Sequence, residues 1–317
     1  MTKEPRPFLV SPISDHIKDY HQQDLGMLEG NAEKLVQRYA VIKRLGVGCN
    51  SFVVKVLDSK EEKSYALKIT KATPARKMLN VARMLEKVEH LTPCILKIRG
   101  FKELDKIPED IQSLMEAHPT EWNCRRLCKQ NYIAVLMDLA DNSWRNLSSP
   151  RLRWTQWKKV FWILFHALYT FKKAGVMQHY DLHKDNIVFV EHDICSTIEL
   201  ELGPSERVCI NGLHVIPKII DYDLCRLYND PQKEYIKDRG DVRFLMHQMD
   251  ITYIHMIQEE RCYGMREDWF REYRSKTQAF FDRVMTMPCN AIGKEATSGD
   301  LKTIMKDEFF EDIFDKK

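Results

Sequence analysis

The sequence predicts an α+β fold in which a small β-rich part precedes a larger helical part. Three observations predict it. Between Tyr39 and Ile69, three short runs rich in β-branched and aromatic residues are separated by a glycine turn and a charged turn. Between Trp154 and Ala174, apolar residues recur at helical spacing. After that helix, His179-Tyr180-Asp181-Leu182-His183-Lys184-Asp185-Asn186 forms a polar turn that leads into the apolar run Ile187-Val188-Phe189-Val190.

Composition narrows the class. At 317 residues the chain is long enough for a large core and for about two domains. Hydrophobic residues make up 44% and charged residues 30%, as in ordinary globular proteins. A net charge of +3 argues against nucleic-acid binding by bulk charge. No apolar run reaches the roughly 18–20 residues a membrane span needs, and the start MTKEPRPFLV lacks a signal-peptide core. An intracellular protein, nuclear or cytoplasmic, with no membrane association is expected. The nine cysteines are odd in number and scattered, which argues against a secreted disulfide framework. Cys124 and Cys128 would need Cys94 and His118 to complete a zinc site, so free thiols are expected instead.

Residues 1–37 form a polar extension in which Asn31 caps a short helix, Asn31–Tyr39. The first strand is Tyr39–Leu45. Gly46-Val47-Gly48-Cys49-Asn50-Ser51 turns the chain into a second strand, Phe52–Leu57, and a third follows at Ser64–Ile69. A glycine turn between strands lets backbone N–H groups approach phosphate oxygens closely. With Val53 two residues beyond the loop and Lys68 closing Ala66-Leu67-Lys68, the spacing is that of a nucleotide site. Lys68 is then placed to neutralise the α- and β-phosphates. Residues 74–91 read as a helix with Met78, Val81, Ala82, Leu85 and Val88 inward. Its carboxylates Glu86 and Glu89 are both candidates to pair with Lys68. A short strand is expected at Ile95–Ile98, then a polar insertion over about 101–131.

Tyr132–Met137 reads as a buried strand ending in Met137, which would guard the back of a purine pocket. Asp138, Leu139 and Ala140 would form the hinge whose backbone groups meet the base. This puts the boundary between the two parts, 38–140 and 141–317, at the hinge. The helix from Trp154 ends at Gly175, in the position that favours a left-handed backbone. In the turn that follows, Asp181 and Asn186 stand five residues apart. That spacing suits phosphoryl transfer: the Asp accepts the proton of an attacking hydroxyl and the Asn oxygen holds a magnesium ion. Residues 191–216 read as an inserted hairpin. Asp221, after Ile219 and Ile220, is the expected second magnesium ligand. Asp241 opens the helical remainder and is placed to brace the turn from below. Asp300–Met305 reads as a late capped helix.

These pieces in this order resemble the eukaryotic protein-kinase-like superfamily over roughly residues 38–260. His183 two residues after Asp181, the insertion between Asn186 and Asp221, Ile219-Ile220-Asp221-Tyr222 in the metal motif, and the missing Ala-Pro-Glu motif are most similar to the haspin-like atypical Ser/Thr kinases. So are the insertion before the hinge strand and the residues Leu224, Arg226 and Leu227. The resemblance implies a bilobal protein-kinase-like fold with a small β-rich N-lobe and a larger helical C-lobe. It implies ATP and Mg2+ as cofactors and a protein substrate, with a histone tail as the haspin-like acceptor. Asp181 and Lys68 would be catalytic, and Asn186 and Asp221 would hold metal. Gly46, Val47, Gly48, Val53, Ala66, Met137, Asp138 and Ala140 would line the nucleotide, and Glu86, His179, His183 and Asp241 would support. A basic tail would need acidic residues near the cleft, for which Glu199, Glu201, Asp223 and Asp230 are candidates.

The sequence also departs from the family pattern. Ser51 replaces the third glycine, Tyr180 replaces the Arg that reads a phosphorylated loop, and Asp223 adds charge beside the metal motif. A nucleotide-binding pseudokinase scaffold and a small-molecule phosphotransferase therefore stand as alternatives. Asp-x-His is shared with aminoglycoside- and choline-kinase relatives.

Overall fold

The computed structural model describes residues 38–48, 51–117, 131–147, 152–227, 240–262, 267–287 and 297–314. The 1–37 extension, Cys124, Cys128, His118 and Asp230 lie outside them. The chain divides into two compact units. One holds the described residues up to Ala82 with Leu96–Leu139, and the other holds Arg83–Ile95 and the residues from Ala140 onward.

The first unit is built on a five-stranded antiparallel sheet of order β1-β2-β3-β5-β4. Its strands are β1 (Tyr39–Val47), β2 (Ser51–Asp58), β3 (Lys63–Lys71), β4 (Ile98–Leu104) and β5 (Tyr132–Asp138). Alternation along β2 and β3 sends Phe52, Val54, Val56, Tyr65, Leu67 and Ile69 to one face, where they share a core with Ala134 and Leu136. The turn after β2 closes on Asp58. Burial opposes its charge, but the Arg38 guanidinium at 2.8 Å and the Lys60 N–H at 2.9 Å hold its carboxyl below the usual range.

The strand expected at Ile95–Ile98 runs instead over Ile98–Leu104, so the first residues read as insertion are sheet. The misreading has a physical cause. β4 lies at the sheet edge, where charged residues such as Arg99, Lys102 and Glu103 are tolerated and the apolar alternation is diluted. The same polar stretch contains a helix. After α1 (Ala72–Glu86), α2 (Glu109–Glu116) contributes Ile111 and Met115, four residues apart, to the sheet core. Truncating Met115 or Ile111 to Ala should therefore cost about 2–4 kcal/mol in chemical denaturation, whereas a surface insertion would show almost none. Helix α1 ends at Glu86, and the expected continuation to 91 becomes a 3₁₀ turn, Glu89–Leu91.

The second unit begins with β6 (Asn142–Ser143) and the short α3 (Trp144–Leu147). Helix α4 (Trp154–Lys173) is buried on most of its surface, with Trp157 and Phe161 packed against Trp144 and Phe189. Gly175 ends it at φ 90, where a side chain would also meet Met84 at 2.9 Å. Strands β7 (Val176–Gln178) and β8 (Ile187–Glu191) follow, then the antiparallel pair β9 (Ile198–Gly203) and β10 (Glu206–Ile210). This hairpin docks on α4 through its backbone: Tyr169 donates to the Leu202 carbonyl at 2.8 Å and Gln156 to the Gly212 carbonyl at 2.6 Å.

Strand β11 (Val215–Ile219) pairs with β8, and β12 (Arg226–Leu227) pairs with β7. Helices α5 (Asp241–Cys262), α6 (Glu267–Met285) and α7 (Ser298–Met305) complete the unit. The cap of α7 is Thr297, which accepts from the Asp300 N–H while Asp300 accepts from the Thr297 N–H, so the helix starts two residues before Asp300. Phe309 stacks on Phe280 at 4.4 Å and closes the chain over α4. No helix among the described residues is long and apolar enough to cross a membrane. The α+β class predicted from sequence, β-rich first and helical second, is the class the chain adopts.

Candidate active site

Register places the chemistry of the second unit. Strands β8 and β11 align Ile187 with Ile219, and just beyond them the Ile220 N–H donates to the Asn186 carbonyl at 3.0 Å. The residues before β8 and after β11, Asn186 and Asp221, are thereby brought to one end of the same ladder. Asp221 itself is left-handed, at φ 67, a conformation rare outside glycine that Asp tolerates better than most side chains.

The turn between β7 and β8 is folded around Asn186, which is almost fully buried. Its amide donates to the Asp181 carbonyl at 2.9 Å and to Asp181 Oδ2 at 3.2 Å. These two acceptors orient the amide NH2 toward Asp181 and leave the amide oxygen for another partner. His183 accepts from the Asp185 N–H through Nδ1, and its Nε2 lies 3.5 Å from Asp181 Oδ2. Asp181 keeps about a third of its side-chain surface, and among the described residues its Oδ1 carries no hydrogen bond.

Below this turn, Asp241 at the start of α5 accepts the His179 N–H at 2.6 Å and the Tyr180 N–H at 3.0 Å. Tyr180 is the second left-handed residue of the region, at φ 69. The His179 ring is buried against Tyr222, and its Nε2 lies 2.9 Å from the Ile220 carbonyl, an acceptor that fixes the proton on Nε2. The turn and the Asp221 segment are thus joined through one imidazole and one backbone bond.

Burial lowers the His179 pKa to about 4 and, on α4, that of His166 to about 4 as well. Both rings fold neutral and take up protons on unfolding. As pH falls from 6.5 toward 4, the unfolded chain gains protons that the folded chain refuses, and stability is lost through that window. The loss reaches up to about 3 kcal/mol per ring. Urea unfolding at pH 7 and pH 5 should show it, and His166→Gln should shrink the difference between the two.

In the first unit Val53, Ala66, Lys68 and Met137 fall on the sheet face opposite the apolar core, whereas Val47, also assigned to the nucleotide, packs against that core and Asp138 pairs with the core residue Tyr65. Val53 pairs with Lys68, Lys68 with Val135, and Ala66 with Met137. Lys68 is buried, with Nζ 3.8 Å from Met78 Sδ on α1. Gly46 pairs with Val53 and Val47 with Phe52, and the turn is closed by the Gly48 N–H donating to the Ser51 carbonyl at 2.8 Å. Cys49 and Asn50 lie outside the described residues. At the end of β5, Asp138 is held twice: its N–H donates to the Lys97 carbonyl at 3.0 Å, and Arg99 forks onto its carboxylate. Ala140 opens the second unit, and Glu86 is the last residue of α1.

Sequence reading turned Met78 inward without setting it beside Lys68, and it did not single out Arg99 or the strained backbone of Tyr180. For Arg99 a signal existed, since the glycine one residue later permits a bulge. For Tyr180 none did.

The donor set suits magnesium. Asn186 and Asp221 offer hard oxygens at the end of one ladder, and Mg2+ is held by one or two protein oxygens together with phosphates and waters. Among the described residues, no group of three or more His, Cys, Asp or Glu side chains is arranged to hold a metal ion by itself.

No family model matches the chain. No curated protein matches it. Among solved structures it is similar to the crystal structure of the PF14_0431 kinase domain, at 15% identity and a TM-score of 0.41 over 69% of this chain. The chain spans 58% of the length of that structure.

Proposed function

We propose that the protein is an ATP- and Mg2+-dependent protein kinase of the haspin-like kind. It transfers the γ-phosphate to a Ser or Thr hydroxyl of a protein substrate, with a histone tail as acceptor, inside the cell in the nucleus or cytoplasm. The observation that carries the reading is the Asn186 amide on Asp181, locked to the Asp221 segment by the Ile220–Asn186 backbone bond. It supports reading Asp181 as a base and the Asn186 and Asp221 oxygens as metal ligands held by one frame.

In this reading Asp181 presents Oδ1 to the hydroxyl and accepts its proton as the oxygen attacks phosphorus. Asn186 holds Oδ2 and so keeps Asp181 from rotating. Asn186 and Asp221 would hold magnesium, which neutralises charge on the phosphate oxygens when bound. Lys68, with Val53, Ala66 and Met137 beside it on one sheet face, would hold the nucleotide, and the Gly46–Ser51 turn would cover its phosphates. Asp241 and His179 keep the turn and the Asp221 segment in register. Tyr180, where phosphate-reading kinases carry Arg, predicts activity without loop phosphorylation.

The test is phosphate transfer from γ-labelled ATP with magnesium to a histone mixture, to the protein itself, and to a panel of amino alcohols and sugars. Label on histone Ser or Thr is expected. Label only on small alcohols would make it a small-molecule phosphotransferase, and ATP binding without any label would make it a scaffold.

A further inference from the structure

We infer that Arg99 is a positioning residue for the nucleobase end of the nucleotide site, an inference that rests on the reading above. The argument begins with register. Strands β4 and β5 pair Ile98 with Met137 and then Gly100 with Leu136, so Arg99 is the extra residue of a β-bulge. A bulge breaks the alternation of side chains and re-aims the one it carries. Here it turns Arg99 onto the last residue of β5. Nε lies 2.7 Å from Asp138 Oδ1 and Nη2 lies 2.8 Å from Oδ2, the two-point fork of a guanidinium on a carboxylate. The Asp138 N–H donates to the Lys97 carbonyl at 3.0 Å. Residues 97–99 thereby fix Asp138 through both its backbone and its side chain.

The neighbours place this clamp. Met137, one residue earlier, faces Ala66 on β3 and Ile98 on β4, on the sheet face that carries Lys68. Asp138 itself faces Tyr65, whose hydroxyl donates to Glu61 at 2.6 Å. The chain leaves the sheet immediately after Asp138, in the segment assigned to meet the purine. An ion pair whose side chains are 31% and 27% exposed adds little to stability. What it supplies is geometry: a planar fork admits one orientation of the carboxylate, which a lysine would not impose. Arg99 therefore sets the direction in which the chain departs from β5, and with it the aim of the backbone groups offered to the base. The phosphate end, on Lys68 and the glycine turn, lies elsewhere on the sheet and is untouched by this pair.

The experiment is calorimetric titration of the full chain with magnesium–ATP and, separately, with magnesium tripolyphosphate, which has no base. Arg99→Met keeps the aliphatic stem and loses the fork, and Asp138→Asn removes the charge from the other side. Each variant should bind magnesium–ATP about tenfold more weakly, while tripolyphosphate affinity stays within about twofold. Should Arg99→Met fail to fold, Asp138→Asn decides alone. Equal weakening toward both ligands, or unchanged ATP affinity in the variants, overturns the role of Arg99 and leaves the nucleotide reading standing. A wild-type chain that binds no magnesium–ATP overturns the nucleotide reading itself.

Discussion

Asp181→Asn should lower phosphate transfer at least about a hundredfold and leave magnesium–ATP affinity within about twofold of wild type. The substitution keeps the shape of the side chain. The Asn186 amide now meets an amide oxygen where it met a carboxylate oxygen, and its second bond, to the backbone carbonyl at 2.9 Å, is unaffected. The turn therefore stays folded, held also by the His183 N–H on the residue-181 carbonyl at 2.9 Å. What disappears is the capacity to take a proton, since an amide oxygen is a far weaker base than a carboxylate. Transfer assays at saturating nucleotide, with binding measured in parallel, separate the two effects. A variant that transfers as fast as wild type would remove Asp181 from the reaction.

Legibility from sequence followed periodicity. The alternation in Phe52–Val56 and Tyr65–Ile69 belongs to strands with one buried face, and the unbroken apolar run Tyr132–Met137 to a central strand between β3 and β4. The aromatic spacing of α4 belongs to a helix buried on most sides. These signals are strong because burial selects residue type at every position. They fade where burial is one-sided or local geometry decides. Strand β4 lies at an edge and reads as polar, and its bulge at Arg99 is a matter of register at which Gly100 only hints. Helix α2 buries Ile111 and Met115 fully and Leu114 in part, too few for periodicity to stand out among charges. In the polar turn, spacing names Asp181 and Asn186, but it cannot say that the Asn186 amide points at Asp181, because that orientation depends on the turn bringing the two together. The left-handed Tyr180 and Asp221 are also invisible in sequence, since neither residue type favours that conformation strongly enough to announce it.

The strain at Tyr180 makes Asp241 a sensitive buried residue of the second unit. A left-handed tyrosine costs on the order of 1–2 kcal/mol, and the Tyr180 N–H is held in that conformation by the Asp241 carboxylate at 3.0 Å. The second oxygen accepts the His179 N–H at 2.6 Å, so both acceptors are committed. Asp241→Ala leaves two N–H groups without their partner, at about 1–3 kcal/mol each, and should lower unfolding stability by about 3–4 kcal/mol in all. Asp241→Asn should fall between the two, because its amide offers one acceptor oxygen and turns an N–H toward the other donor. Adding Tyr180→Gly to Asp241→Ala should recover about 1 kcal/mol, since glycine adopts the left-handed backbone without strain. Phosphate transfer should drop in both Asp241 variants, because His179 and Tyr180 lead directly into Asp181. Urea denaturation of the four chains checks the ordering. An Asn variant as stable and as active as wild type would mean that the two backbone bonds to Asp241 do not hold the turn, and that its shape comes instead from the Asn186 side alone.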